Sequence, residues 1–187
     1  ITLFALLVLS SITAMAQPEY YNETSGTNSN VYPLSSASNR KAQWIIGPNK
    51  LRSSGTTGTV PPAGNISKIF LRMGNAVNAA SQYNGFTISL SQNVGTDTTF
   101  GSVPESAYNF VTGMTQCFYQ ATGFQFTGVA VDSWYGIQLQ TSFPYNPALS
   151  LVIEIKATSG TGNRLRLSDG NFPQRLYGTN ASAAATN

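Results

Sequence analysis

Residues 134–156 read WYGIQLQTSFPYNPALSLVIEIK. Tyr135, Ile137 and Leu139 alternate with Gly136, Gln138 and Gln140. A connector comes next, Ser142-Phe143-Pro144-Tyr145-Asn146-Pro147. Leu149, Leu151, Ile153 and Ile155 then alternate with Ser150, Val152, Glu154 and Lys156. Successive side chains of a strand point to opposite faces, so each run predicts one oily face and one wet face. Two such runs predict an antiparallel sheet, wet on one side and packed on a single core.

The same pattern recurs along the chain. Strands are predicted over residues 31–34, 41–46, 66–73, 86–91, 108–111, 116–121 and 124–131, then 164–167 and 174–177. In the 66–73 strand Ile69, Leu71 and Met73 face inward, and Lys68 and Arg72 outward. Phe86, Ile88 and Leu90 alternate with Thr87, Ser89 and Ser91. Between the strands lie turn formers: Gly-Pro-Asn at 47–49, Gly-Thr-Thr-Gly at 55–58 and Pro61-Pro62, where Pro fixes φ and Gly supplies positive φ. No helical period is sustained beyond residue 17. Short strands at this spacing predict an all-β fold, an antiparallel β-sandwich of jelly-roll-like form.

Residues 1–16, ITLFALLVLSSITAMA, hold a short apolar run and then Ala14-Met15-Ala16. A secretory core is about 7–15 apolar residues, while a membrane span needs roughly 20, so the stretch reads as a signal peptide cut before Gln17. The expected organisation is a signal peptide at 1–16, a flexible polar segment at 17–30, a β-sandwich at 31–178 and a low-complexity tail at 179–187. No membrane span is expected in the mature chain. About 170 residues then remain, enough for one sizeable core.

Charged residues make up 9% of the 187, and Ser, Thr, Asn, Gln and Gly supply the polar surface instead, as suits an extracellular β-protein. The net charge of +3 is spread along the chain, so no nucleic-acid footprint is expected. Cys117 is the single cysteine, which excludes an intrachain disulfide and reads as a buried thiol. Histidine is absent, which removes the commonest general base and any Ser-His-Asp or Cys-His site.

Carboxylate chemistry would need two acids roughly 5–10 Å apart across a cleft. Glu105, Asp132 and Glu154 are the residues such a hydrolase would use. Glu154, two residues from Lys156, reads instead as part of a solvated face or a cross-strand ion pair. Zinc lacks its ligands here. Asp97, Asp132 and Asp169 sit where loops offer oxygen ligands, so a structural calcium ion is the one cofactor left open. Their simpler role is to form turns.

Jelly-roll modules often bind sugars by stacking aromatic rings, and the residues expected to do so here are Trp44, Trp134 and Tyr145. Trp134 and Tyr135 are adjacent, so one faces the core and the other faces away. Arg164, Arg166 and Arg175 lie close in sequence; Arg164 and Arg166 share a strand face that could bind an anionic polysaccharide, though charge on a wet sheet face is the simpler reading.

The order of strand cores carries a resemblance. Asn39-Arg40-Lys41-Ala42-Gln43-Trp44-Ile45-Ile46, Gly64-Asn65-Ile66-Ser67-Lys68-Ile69-Phe70-Leu71-Arg72 and Phe86-Thr87-Ile88-Ser89-Leu90 precede the two runs of residues 134–155. This resembles a β-sandwich module of secreted and cell-surface proteins of Bacteroidetes-type bacteria, often cargo of type IX secretion. The resemblance implies no catalytic residues. The expectation is therefore a secreted, non-enzymatic structural or adhesive protein of the cell surface or matrix. Its partners would be other copies of itself or surface proteins, met by strand addition at an exposed edge. The alternative is a carbohydrate-binding module of a polysaccharide-degrading system, with extracellular glycans as partners.

Overall fold

The computed structural model describes residues 17–21, 28–35, 39–55, 57–75, 80–101, 108–166, 174–179 and 184–185. Among these, eleven strands and no helix occur: β1 (Ser29–Asn30), β2 (Arg40–Ile46), β3 (Gly64–Arg72), β4 (Phe86–Ser91), β5 (Tyr108–Asn109), β6 (Thr115–Gln120), β7 (Trp134–Tyr145), β8 (Leu151–Ala157), β9 (Leu165–Arg166), β10 (Arg175–Thr179) and β11 (Ala184–Ala185). The fold is all-β, as the alternation predicts. The signal-like residues 1–16 lie outside the described residues.

Five strands form one sheet in the order β10-β2-β8-β4-β6, and β3 pairs with β7 in a second sheet. All pairings are antiparallel. The chain passes between the layers, from β2 to β3 to β4 and again from β6 to β7 to β8. That interleaving is a jelly-roll trait. One continuous core joins the layers: Phe86, Ile88, Leu90, Leu151 and Ile155 from the wide sheet meet Ile69, Ile137, Leu139, Phe143 and Tyr145 from the narrow one.

The two alternating runs of residues 134–156 therefore sit in different layers. β7 also extends through the expected connector. Phe143 and Tyr145 keep the inward alternation that Ile137 and Leu139 begin, so Pro144 is carried along in the strand, opposite Asn65. Burial of two further aromatic rings outweighs the turn preference of Ser-Phe-Pro. Leu149 lies in the turn before β8. The 31–34 strand is a turn here, with Leu34 buried and β1 just ahead of it. Residues 124–131 form no strand either. Phe124 is held by two backbone bonds to Tyr83, of 2.8 and 2.9 Å, and its ring stacks on Phe86 at 3.9 Å. Phe126 meets Phe124 edge-on at 5.1 Å. Aromatic packing, at about 0.5–1.5 kcal/mol per pair beyond area burial, fixes this segment in place of a ladder. Strand pairing also reaches past residues 31–178, since β1 pairs with β9 and β11 with β5.

The expected wet face of the wide sheet is covered. Thr87, Ser89, Ser91 and Val152 are all buried, and Glu154 and Lys156 are half-buried. Tyr108, Phe110 and Leu176 form a second small core there, with Phe100 against it. Gln43, fully buried on β2, fastens this cover. Its Nε2 donates to Val111 O at 2.9 Å and to Glu154 Oε2 at 2.9 Å, and its Oε1 accepts from Val111 N at 2.8 Å. Lys41 lies over the Phe110 ring at 4.0 Å, and burial pulls its pKa down. Small hydroxyl side chains on β4 let the cover approach closely, so polarity on this face marks a second packing surface.

Gln43→Leu keeps the volume and removes these hydrogen bonds together with the one to Met114 Sδ at 3.3 Å. Leaving the Val111 amide and Glu154 without their partner is expected to cost about 1–3 kcal/mol. Urea denaturation checks this; an unchanged midpoint contradicts the clamp.

Candidate binding site

Over residues 64–70 the one strand paired with β3 among the described residues is β7; just past Arg72 the other edge is met by β9, with Met73 opposite Leu165 and Gly74 N donating to Arg164 O at 2.7 Å. Along that other edge of β3 runs a cleft of about 610 Å³, and seven consecutive residues of the strand, numbers 64–70, line it. A strand interior lines a cavity with every second side chain; an unbroken run means that the backbone edge itself borders the space. The floor is core of the opposite sheet, Ile46 from β2 with Leu151 and Ile153 from β8. Leu51, Pro61, Pro62 and the segment 18–21 complete the walls.

Trp134 and Tyr145 line this cleft at opposite ends of the narrow sheet: Tyr145 pairs with Gly64 and Trp134 with Arg72. Two of the three expected sugar-stacking residues thus come together, joined by Tyr20 and Tyr21. Trp44 does not line the cleft. It sits on β2 between Ile153 and Arg175, half-buried against the main core. Tyr145 is 8% exposed, and burial pushes its phenol pKa up. Of the adjacent pair, Tyr135 faces inward, its ring 4.9 Å from Phe126, while Trp134 shares the outer face with Phe70 and Lys68.

Tyr21 is fixed by reciprocal backbone bonds with Arg52, 3.0 Å from Tyr21 N to Arg52 O and 3.1 Å in return. Its ring lies 6.0 Å from Trp134. Part of the segment expected to be a flexible lead-in is thus a wall of the cleft. Beside Trp134, Gly136 has no side chain, and a Cβ there would stand 2.5 Å from Lys68 Cε. Lys68 lies across that gap with its ammonium 4.9 Å from the Phe70 ring centre.

The start of β7 is anchored by Asp132, whose backbone adopts φ of 65°. Its N–H donates to Met73 O at 2.9 Å. Its carboxylate accepts from Arg166 Nε at 2.7 Å and Nη2 at 3.0 Å and faces Arg72 Nη2 at 3.2 Å. The Arg166 hydrogen bonds, with the charges of Arg166 and Arg72, hold the carboxyl below its ordinary pKa. Arg166 is bound to Asp132, and Arg175, close in sequence, lies apart over Tyr177 at 5.1 Å on the wide sheet.

Glu154 is engaged by Gln43, on the covered face away from the cleft floor. Glu105 and Asp169 lie outside the described residues. Asp97 uses its backbone oxygen to accept from Ser150 Oγ. Among the described residues, no group of three or more His, Cys, Asp or Glu is placed to hold a metal. Cys117 is buried, and burial raises its thiol pKa.

The sequence pattern points to the aromatic ends of the cleft and misses its floor and edge. Ile46, Ile66 and Ile153 read as ordinary core, and nothing local marks β3 residues 64–70 as unpaired on one side. Comparison with protein-family models, curated proteins and solved structures finds no match to this chain. Among the described residues, no helix is long and apolar enough to cross a membrane.

A carboxyl with a lowered native pKa adds stability above the unfolded value of about 4 and loses it as pH falls through the native value. Asp132→Asn is therefore expected to flatten the fall in melting temperature on the acid side of about pH 4. Thermal melts across that range test this; parallel curves for the two proteins would exclude it.

Proposed function

We propose that this chain is a secreted, non-enzymatic β-sandwich of the cell surface or extracellular matrix, and that it works as an adhesive or structural binder through the cleft beside β3. The observation that carries the reading is the cleft itself: an apolar space open along a strand edge, with aromatic residues at its ends. The lead of residues 1–16, the low charge and the missing histidine support it, as does the resemblance of the strand cores to secreted surface modules. The acids that a hydrolase would use are committed elsewhere where they are described: Asp132 to two arginines, Glu154 to Gln43.

Fusing residues 1–30 to a reporter that is active only outside the bacterial cytoplasm tests the export half. Activity that disappears when residues 3–9 are deleted is the expected result. Retention of the fusion in the cytoplasm counts against it.

Carbohydrate binding is the second reading, favoured by Trp134, Tyr145, Tyr20 and Tyr21 lining one cleft. It predicts that Trp134→Ala weakens binding to a soluble polysaccharide by about tenfold, the upper end of one stacking contact. Calorimetry with a polysaccharide panel checks this. An unchanged affinity in the variant removes Trp134 from the site.

A further inference from the structure

The cleft has the shape of a missing strand. Among the described residues, a sheet of five strands faces the β3–β7 layer, which β9 extends only past the C-terminal end of β3 through Met73 and Leu165, so Ile46, Leu151 and Ile153 have open space above them where a neighbour of β3 residues 64–70 would lie. The peptide groups along an unpaired strand edge repeat donor and acceptor in the spacing of another strand. A strand laid there would send every second side chain down onto that floor. We propose that the cleft takes an extended peptide segment, which adds to the edge of β3 along residues 64–70, sets apolar side chains on Ile46, Leu51 and Ile153, and places an acidic residue beside Lys68. This rests on the binding reading above and names its partner.

Three observations select such a segment over the other occupants. First, the donor needs inward side chains that are free to enter the cleft. In a folded second copy those side chains already fill its own core, as Ile66 and Ile69 do here. Second, Lys68 is the middle residue of the nine in β3 and is exposed. A centred antiparallel β3–β3 pair would oppose lysine to lysine, which is destabilising, whereas an acidic partner at that position is favourable. Third, the wide sheet closes its edge at β6 with a side chain. Gln140 Oε1 accepts from Tyr119 N and its Nε2 donates to Tyr119 O, both at 2.9 Å. On β3, among the described residues, one side chain reaches the backbone of the cleft-lining stretch, Gln138 Nε2 donating to Ser67 O at 2.8 Å, and β9 meets the edge only beyond Arg72, where Gly74 N donates to Arg164 O at 2.7 Å. Pro18, Pro61 and Pro62 in the walls have no N–H to compete for an incoming strand's acceptors. A glycan would instead look for converging polar groups, and the floor supplies none.

The probe is a nine-residue synthetic peptide that alternates valine with threonine and carries a central aspartate, matched in length to β3. Fluorescence anisotropy tracks its binding, and hydrogen exchange by mass spectrometry tracks residues 64–70. The expected result is saturable binding that slows exchange in those residues. Replacing alternate residues by proline should weaken it by about tenfold or more, because ladder donors are lost. Lys68→Glu is exposed and leaves the core intact. It should reverse the preference, so that a central lysine peptide binds the variant better than the aspartate peptide by about fivefold. Peptide binding that is indifferent to proline and to Lys68→Glu overturns the proposal. A polysaccharide that slows exchange at 64–70 where no peptide does also overturns it, while the binding reading stands. No protection by either probe overturns both.

Discussion

A five-stranded sheet needs an equally broad layer to cover its inner apolar face, and among the described residues the facing layer is β3 and β7, widened by β9 only past Arg72. The mismatch shapes the rest of the molecule. Over β4 and the middle of β8 the narrow sheet and the aromatic cluster around Phe86 close the core. Beyond β3 they do not, and Ile46, Leu151 and Ile153 form a floor under open space. In a sandwich the cost of exposed apolar area, about 25 cal/mol per Å², favours any element that can lie across it. Pro18 to Tyr21 and Pro61 to Ala63 approach from the sides without filling the gap.

The outer face of the same sheet meets the opposite fate. Its polar side chains are small, so the chain around residues 108–114 packs directly onto them, and one buried amide provides the fastening. Gln43 bridges a backbone N–H and C=O of Val111 as a strand neighbour would, and it also gives Glu154 a partner. Buried polar groups are tolerated when their bonds are made, and here they specify which segment covers the sheet. The protein thus has a sealed outer face and a gap on the inner one, with β3 at the rim of the gap.

The candidate site is built on rigid elements at both ends. Asp132, locked between Arg166 and Arg72, sets the start of β7 and with it Trp134. The far end of the same strand carries Tyr145 into the core beside Gly64. In the sequence alone, Trp134 and Tyr145 are legible because aromatics at the ends of a strand pattern are candidates for exposure. Trp44, inside β2, is a candidate only as an aromatic, and it packs against the core between β8 and β10. All three are aromatics in strand patterns; what separates them is the neighbours that the fold supplies.

Composition and strand period were enough for the all-β class, the inward alternation of β3, β4, β7 and β8 and the lack of histidine chemistry. These are properties of composition or of the two-residue period of a strand, which is written within a few positions. Only the assembled fold placed the runs starting at Trp134 and Leu149 in different layers, covered the polar face of the wide sheet, and left the edge of β3 at residues 64–70 unpaired among the described residues. Each of these depends on contacts between residues far apart in the chain, such as Gln43 with Val111 or Tyr21 with Trp134, and a local pattern holds no record of which distant segment will arrive.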